Sequence, residues 1–86
     1  MDLKELFEQA AASSKTMSEK PGNDALLQLY SLYKQGSIGD VNIEAPANSF
    51  DFVTNAKYEA WAALKGKSKE EAMTEYIWLV NKLKAN

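Results

Sequence analysis

Residues 36–49 string together Gly36, Gly39, Asp40, Asn42, Pro46 and Asn48, all turn formers, and carry no sustained hydrophobic period. The stretch is longer than the usual link between packed helices, so it is expected to cross the molecule instead of closing a tight hairpin. A plain up-down-up-down bundle is thereby disfavoured. Two shorter interruptions, Lys20-Pro21-Gly22-Asn23 and Lys65-Gly66-Lys67-Ser68, complete the punctuation and leave four segments with helical period.

In residues 3–15, Leu3, Phe7, Ala10, Ala11 and Ser14 fall at spacings of three and four, one face of an amphipathic helix. Residues 23–35 follow, with Asn23 as N-cap, Leu26, Tyr30 and Tyr33 on one side and Ala25, Leu29 and Leu32 on the adjoining side. So wide an apolar arc predicts a helix that packs on one neighbour and faces something else as well. Residues 50–64 put Lys57, Trp61 and Leu64 on one stripe and Val53, Ala56 and Ala60 on another, with Gly66 as the C-terminal stop. In the last segment Ser68 and Glu71 make a capping box ahead of Met73, Tyr76, Ile77, Val80 and Leu83 at helical spacing. The only alternating run, residues 38–43, sits among turn formers, so no strand is expected. The fold class predicted is all-α.

Composition bounds the chemistry. A chain of 86 residues, 45% apolar and 26% charged, has room for one folded unit, expected over residues 1–86. It has no cysteine and no histidine, which removes disulfides, thiolate nucleophiles, most metal sites and the commonest general base. The net charge is −2 and all ten basic residues are lysines, a balance that speaks against duplex nucleic acid but leaves a small phosphorylated ligand open. The start mixes acids with apolar residues, unlike a secretory signal, and no apolar run reaches bilayer length, so a cytoplasmic protein and a monomer are expected. The acids at the starts of the first and last helices fit the macrodipole and need no catalytic role.

Tyr30, Tyr33 and Lys34 lie within one helical turn or so of each other, with Tyr30 and Lys34 at i,i+4. Two phenols and an ammonium suit a phosphorylated adenosine, which wants donors, positive charge and a flat wall. From spacing alone, the commoner meaning of such a stripe is core with wet hydroxyls and a snorkelling lysine. Lys57, Tyr58 and Trp61 form a second cationic and aromatic group with the same two meanings, as does Tyr76 on the last helix.

Taken in order, Lys20-Pro21, Tyr30-Ser31-Leu32-Tyr33-Lys34-Gln35, Gly39-Asp40-Val41-Asn42, Pro46, Lys57-Tyr58-Glu59-Ala60-Trp61, Leu64-Lys65-Gly66, Ser68-Lys69-Glu70-Glu71-Ala72-Met73 and Tyr76-Ile77 resemble the acyl-CoA-binding protein family over nearly the whole chain. As a set, these motifs outweigh the core-only meaning of the tyrosines. The resemblance implies a four-helix up-down-down-up bundle whose long loop is the crossover between the second and third helices. It implies a non-enzymatic carrier that binds, transports and buffers medium- to long-chain fatty acyl-CoA esters, with the ester as ligand and no cofactor or metal. By position in the motifs, Tyr30, Lys34 and Lys57 would hold the 3′-phosphate, Tyr33 would lie near the adenine, Leu26 would line the acyl groove, and Ala11, Lys15 and Tyr76 match further contact positions.

This chain departs from the pattern at Val53, where the family often has lysine, at the neutral Asn55, at Tyr58 in place of a frequent tryptophan, and in a slightly longer loop around residues 47–50. Transient contact with enzymes that use acyl-CoA is expected. Two other classes stay open on the residues: a helical module whose groove takes an amphipathic peptide, and an enzyme domain acting on acyl-CoA, which would lack the usual bases and nucleophiles.

Overall fold

The computed structural model describes residues 1–17, 20–47 and 50–85. Four helices follow in order: α1 (Leu3–Ser14), α2 (Asn23–Ser37), α3 (Phe52–Ala62) and α4 (Lys69–Ala85), with no strand among the described residues. No helix is long and apolar enough to cross a membrane among the described residues.

Each start is set by local chemistry. Asp2 accepts from the Glu5 N–H at 2.8 Å and Asp51 from the Thr54 N–H at 3.0 Å, so both are side-chain N-caps. The capping box of α4 forms, with the Glu71 N–H donating to Ser68 Oγ at 3.0 Å and the Ser68 N–H reaching back to Glu71 Oε1 at 3.4 Å. Asn23 is not the cap it was expected to be. Gly22 holds that position without a side-chain bond, and Asn23 is the first helical residue. The third helix starts at Phe52 instead of residue 50 because Asp51 caps it, and it gives way to turns after Ala62 that reach Gly66 at φ 96°.

Gly36 is a second correction. It was read as the opening of the loop, yet α2 continues through Ser37 and Gly36 is buried inside it. A methyl group there would lie 3.1 Å from Phe7 Cζ and 3.2 Å from Met73 Cγ, so the missing side chain lets α1 and α4 press onto α2. The crossover thus begins at Ile38. The lengthening expected around residues 47–50 falls partly on residues 48 and 49, outside the described residues.

Contacts fix the helix directions. Phe7, early in α1, stacks on Tyr33 late in α2, whereas Ala11 and Ser14, further along α1, share a cavity with Leu26 and Leu29, earlier in α2, so α1 and α2 run antiparallel. Asn23 and Leu27 line one cavity with Phe52 and Val53, Tyr30 lies under Lys57, and Lys34 lies over Trp61, so α2 and α3 run parallel. Met73 and Tyr76, early in α4, reach Gly36 and Tyr33, so α4 runs against α2. The order is up-down-down-up, and the long crossover is what lets α3 start again at the same end as α2.

The core joins Phe7 and Ala10 of α1, Leu29 and Leu32 of α2, and Ala72, Tyr76, Leu79 and Val80 of α4. Helix α3 stands outside that cluster and leans on α2. Among its described residues only Trp61 is buried, at 2% exposure.

Candidate functional site

A cavity of about 330 Å³ opens between α1 and α2. Its walls include Ala11 from α1 and Lys15 at the C-cap of that helix, Leu26, Tyr30 and Tyr33 from α2, and Tyr76 from α4. Ser14, Pro21 and Leu29 also line it. A second cavity, of about 340 Å³, lies between α2 and α3, with Leu26 and Leu27 on one side and Phe52, Val53 and Ala56 on the other. Leu26 borders both cavities, and Lys57 stands at the edge of the second.

Between the two cavities the charges converge on one ring. Lys57 Nζ lies 5.4 Å from the Tyr30 ring centroid and Lys34 Nζ 5.8 Å from the same centroid, while Lys34 is also 5.7 Å from the Trp61 ring. Two ammoniums held over one phenol attract an anion, and the ring faces help keep both cations in place. Six of the eight residues singled out from the sequence thus line the first cavity, Lys57 lines the second, and Lys34 joins them through Tyr30.

The aromatic wall of the first cavity is anchored in the core. Phe7 stacks on Tyr33 with centroids 5.3 Å apart and meets Tyr76 edge-on at 5.1 Å. Tyr33 is 43% exposed, so one face of its ring remains open. Tyr76 is buried, and its hydroxyl lies 3.3 Å from Ser14 Oγ. Because Ser14 donates to the Ala11 carbonyl at 2.8 Å, the Tyr76 hydroxyl is the donor in that pair. Burial pushes the Tyr76 phenol above its ordinary pKa, and the neighbouring Tyr33 adds to the rise. Tyr76 is therefore a core residue that also forms part of the cavity wall.

Gln35, next in the chain to Lys34, centres a polar clasp that the sequence motifs did not reveal as such. Gln35 is fully buried, and its Nε2 donates to Asp40 Oδ1 at 2.9 Å and to the Lys67 carbonyl at 2.8 Å. Asp40 also accepts the Gly66 N–H at 2.9 Å, and Trp61 Nε1 donates to the Gly39 carbonyl at 2.9 Å. The ends of α2 and α3 and the turn before α4 are tied together at one point, with Lys34 over the Trp61 ring beside it. Gln35 Oε1 is buried without a partner among the described residues, a cost the two donor bonds must offset. Gly39 takes φ 102°, which a side chain would strain, and so turns its carbonyl to Trp61.

The Gly66 N–H, then Gln35 and Lys65, hold the Asp40 carboxyl below its usual pKa, and Thr54, through backbone and hydroxyl, does the same for Asp51. A carboxylate depressed in the folded state stabilises the fold above its unfolded pKa and loses that contribution as pH falls through the folded value. Urea midpoints are therefore expected to fall below about pH 4, the unfolded aspartate range. The Asp40→Asn/Asp51→Asn protein, which keeps one acceptor oxygen at each position, should show a shallower acid loss. Equal slopes for the two proteins would refute this assignment.

No group of three or more His, Cys, Asp or Glu residues comes together as a metal site among the described residues. The residues missed from the sequence fall in two sets. Leu27 and Phe52 of the second cavity were not singled out, although the Val53 and Ala56 stripe was a signal for that wall. Ser14 was placed on a core face and Pro21 in a linker, and only the antiparallel course of α1 and α2 brings them to the first cavity.

This architecture has close counterparts. A family model described as acyl-CoA-binding protein matches residues 4–80. The acyl-CoA-binding protein of Dictyostelium discoideum is 51% identical over 77 residues, covering 90% of each chain. That of Gossypium hirsutum is 48% identical over 83 residues, covering 96% of this chain and 92% of its own. The crystal structure of Oryza sativa acyl-CoA-binding protein 2 superposes with a TM-score of 0.88 at 43% identity, covering 95% of this chain and 90% of that one. The chain belongs to the acyl-CoA-binding protein family.

Proposed function

We propose that this protein binds medium- to long-chain fatty acyl-CoA esters and carries and buffers them in the cytoplasm, making and breaking no bond. The observation that carries the reading is the convergence of Lys34 and Lys57 on the Tyr30 ring at the junction of two largely apolar cavities. A 3′-phosphate would sit at that junction, with Tyr30, Lys34 and Lys57 around it. The adenine would lie against the open face of Tyr33, with Ala11, Lys15 and Tyr76 completing that cavity. The acyl chain would pass Leu26 into the groove between α2 and α3.

Magnitudes indicate that both halves of the ester are needed. Burying roughly eight methylenes is worth about 6 kcal/mol at about 0.8 kcal/mol each. Two charge-assisted contacts add about 3–6 kcal/mol. Since association itself costs several kcal/mol, neither half alone should bind tightly.

Calorimetric titration of the delipidated protein with palmitoyl-CoA is expected to give tight one-to-one binding, with free CoA and palmitate each weaker by at least about a thousandfold, the loss of about 4 kcal/mol. A folded protein that takes up none of the ester would overturn the reading.

A further inference from the structure

The second cavity has a graded wall, and its gradient follows from the parallel run of α2 and α3. At the level of Tyr30 and Lys57 the facing residues are a phenol and an ammonium. One turn earlier on each helix, about 6 Å along the axis, the facing residues are Leu26 and Val53, both lining the cavity. Phe52 and Leu27 continue the apolar wall, and Asn23 marks its polar limit. Val53 is 65% exposed and Phe52 76% exposed, so the protein's own packing leaves most of that surface uncovered. A β-branched side chain is stiff about χ1, so packing against it sacrifices little further side-chain freedom.

We propose that Val53 sets the acyl-length preference of this protein: the distal methylenes of the acyl chain pack on its two methyl groups, opposite Leu26 and beside Phe52. The proposal rests on the acyl-CoA reading above and adds to it a residue and a direction. Affinity should climb about fourfold per methylene, the equivalent of about 0.8 kcal/mol, until the chain passes Val53, and then level off at Asn23.

The test is a titration series from octanoyl- to eicosanoyl-CoA on the wild type and on Val53→Thr, which keeps the shape and replaces one methyl by a hydroxyl. Val53→Leu, which lengthens the apolar wall, is the second variant. At so exposed a position neither should disturb folding, which circular dichroism and a urea midpoint verify. The expected result is a Val53→Thr loss of less than about twofold for octanoyl-CoA that grows to about five- to tenfold for palmitoyl-CoA, with Val53→Leu keeping the long-chain preference. A loss equal at every length, or no loss, overturns the role of Val53 while leaving the carrier reading intact. Failure of the wild type to bind any ester removes both.

Discussion

Replacing Trp61 with alanine is expected to lower the unfolding free energy by about 3–5 kcal/mol, the usual cost of truncating a buried indole. For a chain of 86 residues, whose total stability should be about 4–13 kcal/mol, that is a large share. The effect has a definite location. Trp61 is the buried residue of α3, and α3 lies outside the cluster that joins α1, α2 and α4. Its loss opens a void under α3 and leaves the Gly39 carbonyl without its indole donor. Trp61→Phe keeps most of the apolar contact and loses the bond, so it should cost less, about 1–3 kcal/mol. Urea unfolding followed by far-UV circular dichroism measures both. Because Trp61 is the one buried residue among the described residues of α3, the alanine protein should also show fast amide exchange in residues 52–62 ahead of the rest. A change under about 1 kcal/mol for Trp61→Ala would mean that α3 is held by other contacts.

The same residue shows how far the sequence could be read. The four helices follow from period and punctuation, because an amphipathic face declares itself within one segment. The wide apolar arc of α2 pointed to more than one use, although that helix packs on two neighbours, α4 and α3, where one was expected, and lines both cavities besides. Gly36 was misread because a glycine near a helix end looks the same whether it stops the helix or admits Phe7 and Met73, residues 29 and 37 positions away. Gln35 was visible as part of a motif, but its burial and its bonds to Asp40 and Lys67 depend on the packing of three chain segments. Tyr30 and Lys34 were neighbours by helix geometry. Their meeting with Lys57 depends on α3 running parallel to α2, which no local pattern encodes. Val53 was legible as a missing charge and as part of a stripe with Ala56 and Ala60, and the cavity shows that this stripe faces α2.

Lys34→Ala is expected to weaken palmitoyl-CoA binding by about 1.5–3 kcal/mol, or about ten- to 150-fold, the range for a hydrogen bond to a charged group. The fold should survive, since the hydrogen bonds that tie Gln35, Asp40 and the Trp61 indole into the clasp do not involve the Lys34 ammonium. Lys57→Ala should fall in the same range, because its ammonium approaches the same ring from the neighbouring helix. Salt supplies one check: attraction between partly exposed charges is screened, so wild-type affinity should fall with ionic strength and the double variant's should fall less. The ligand supplies a sharper one. Palmitoyl-dephospho-CoA, which lacks the 3′-phosphate, should bind the wild type more weakly by a comparable factor and be nearly indifferent to Lys34→Ala, because the interaction has already been removed from the other side. If the variant loses the same factor on both esters, Lys34 acts on some other part of the ligand. If it loses nothing on either, the convergence of the two lysines on Tyr30 has no part in binding, and the phosphate must be held elsewhere, with Lys15 at the mouth of the first cavity the next residue to replace.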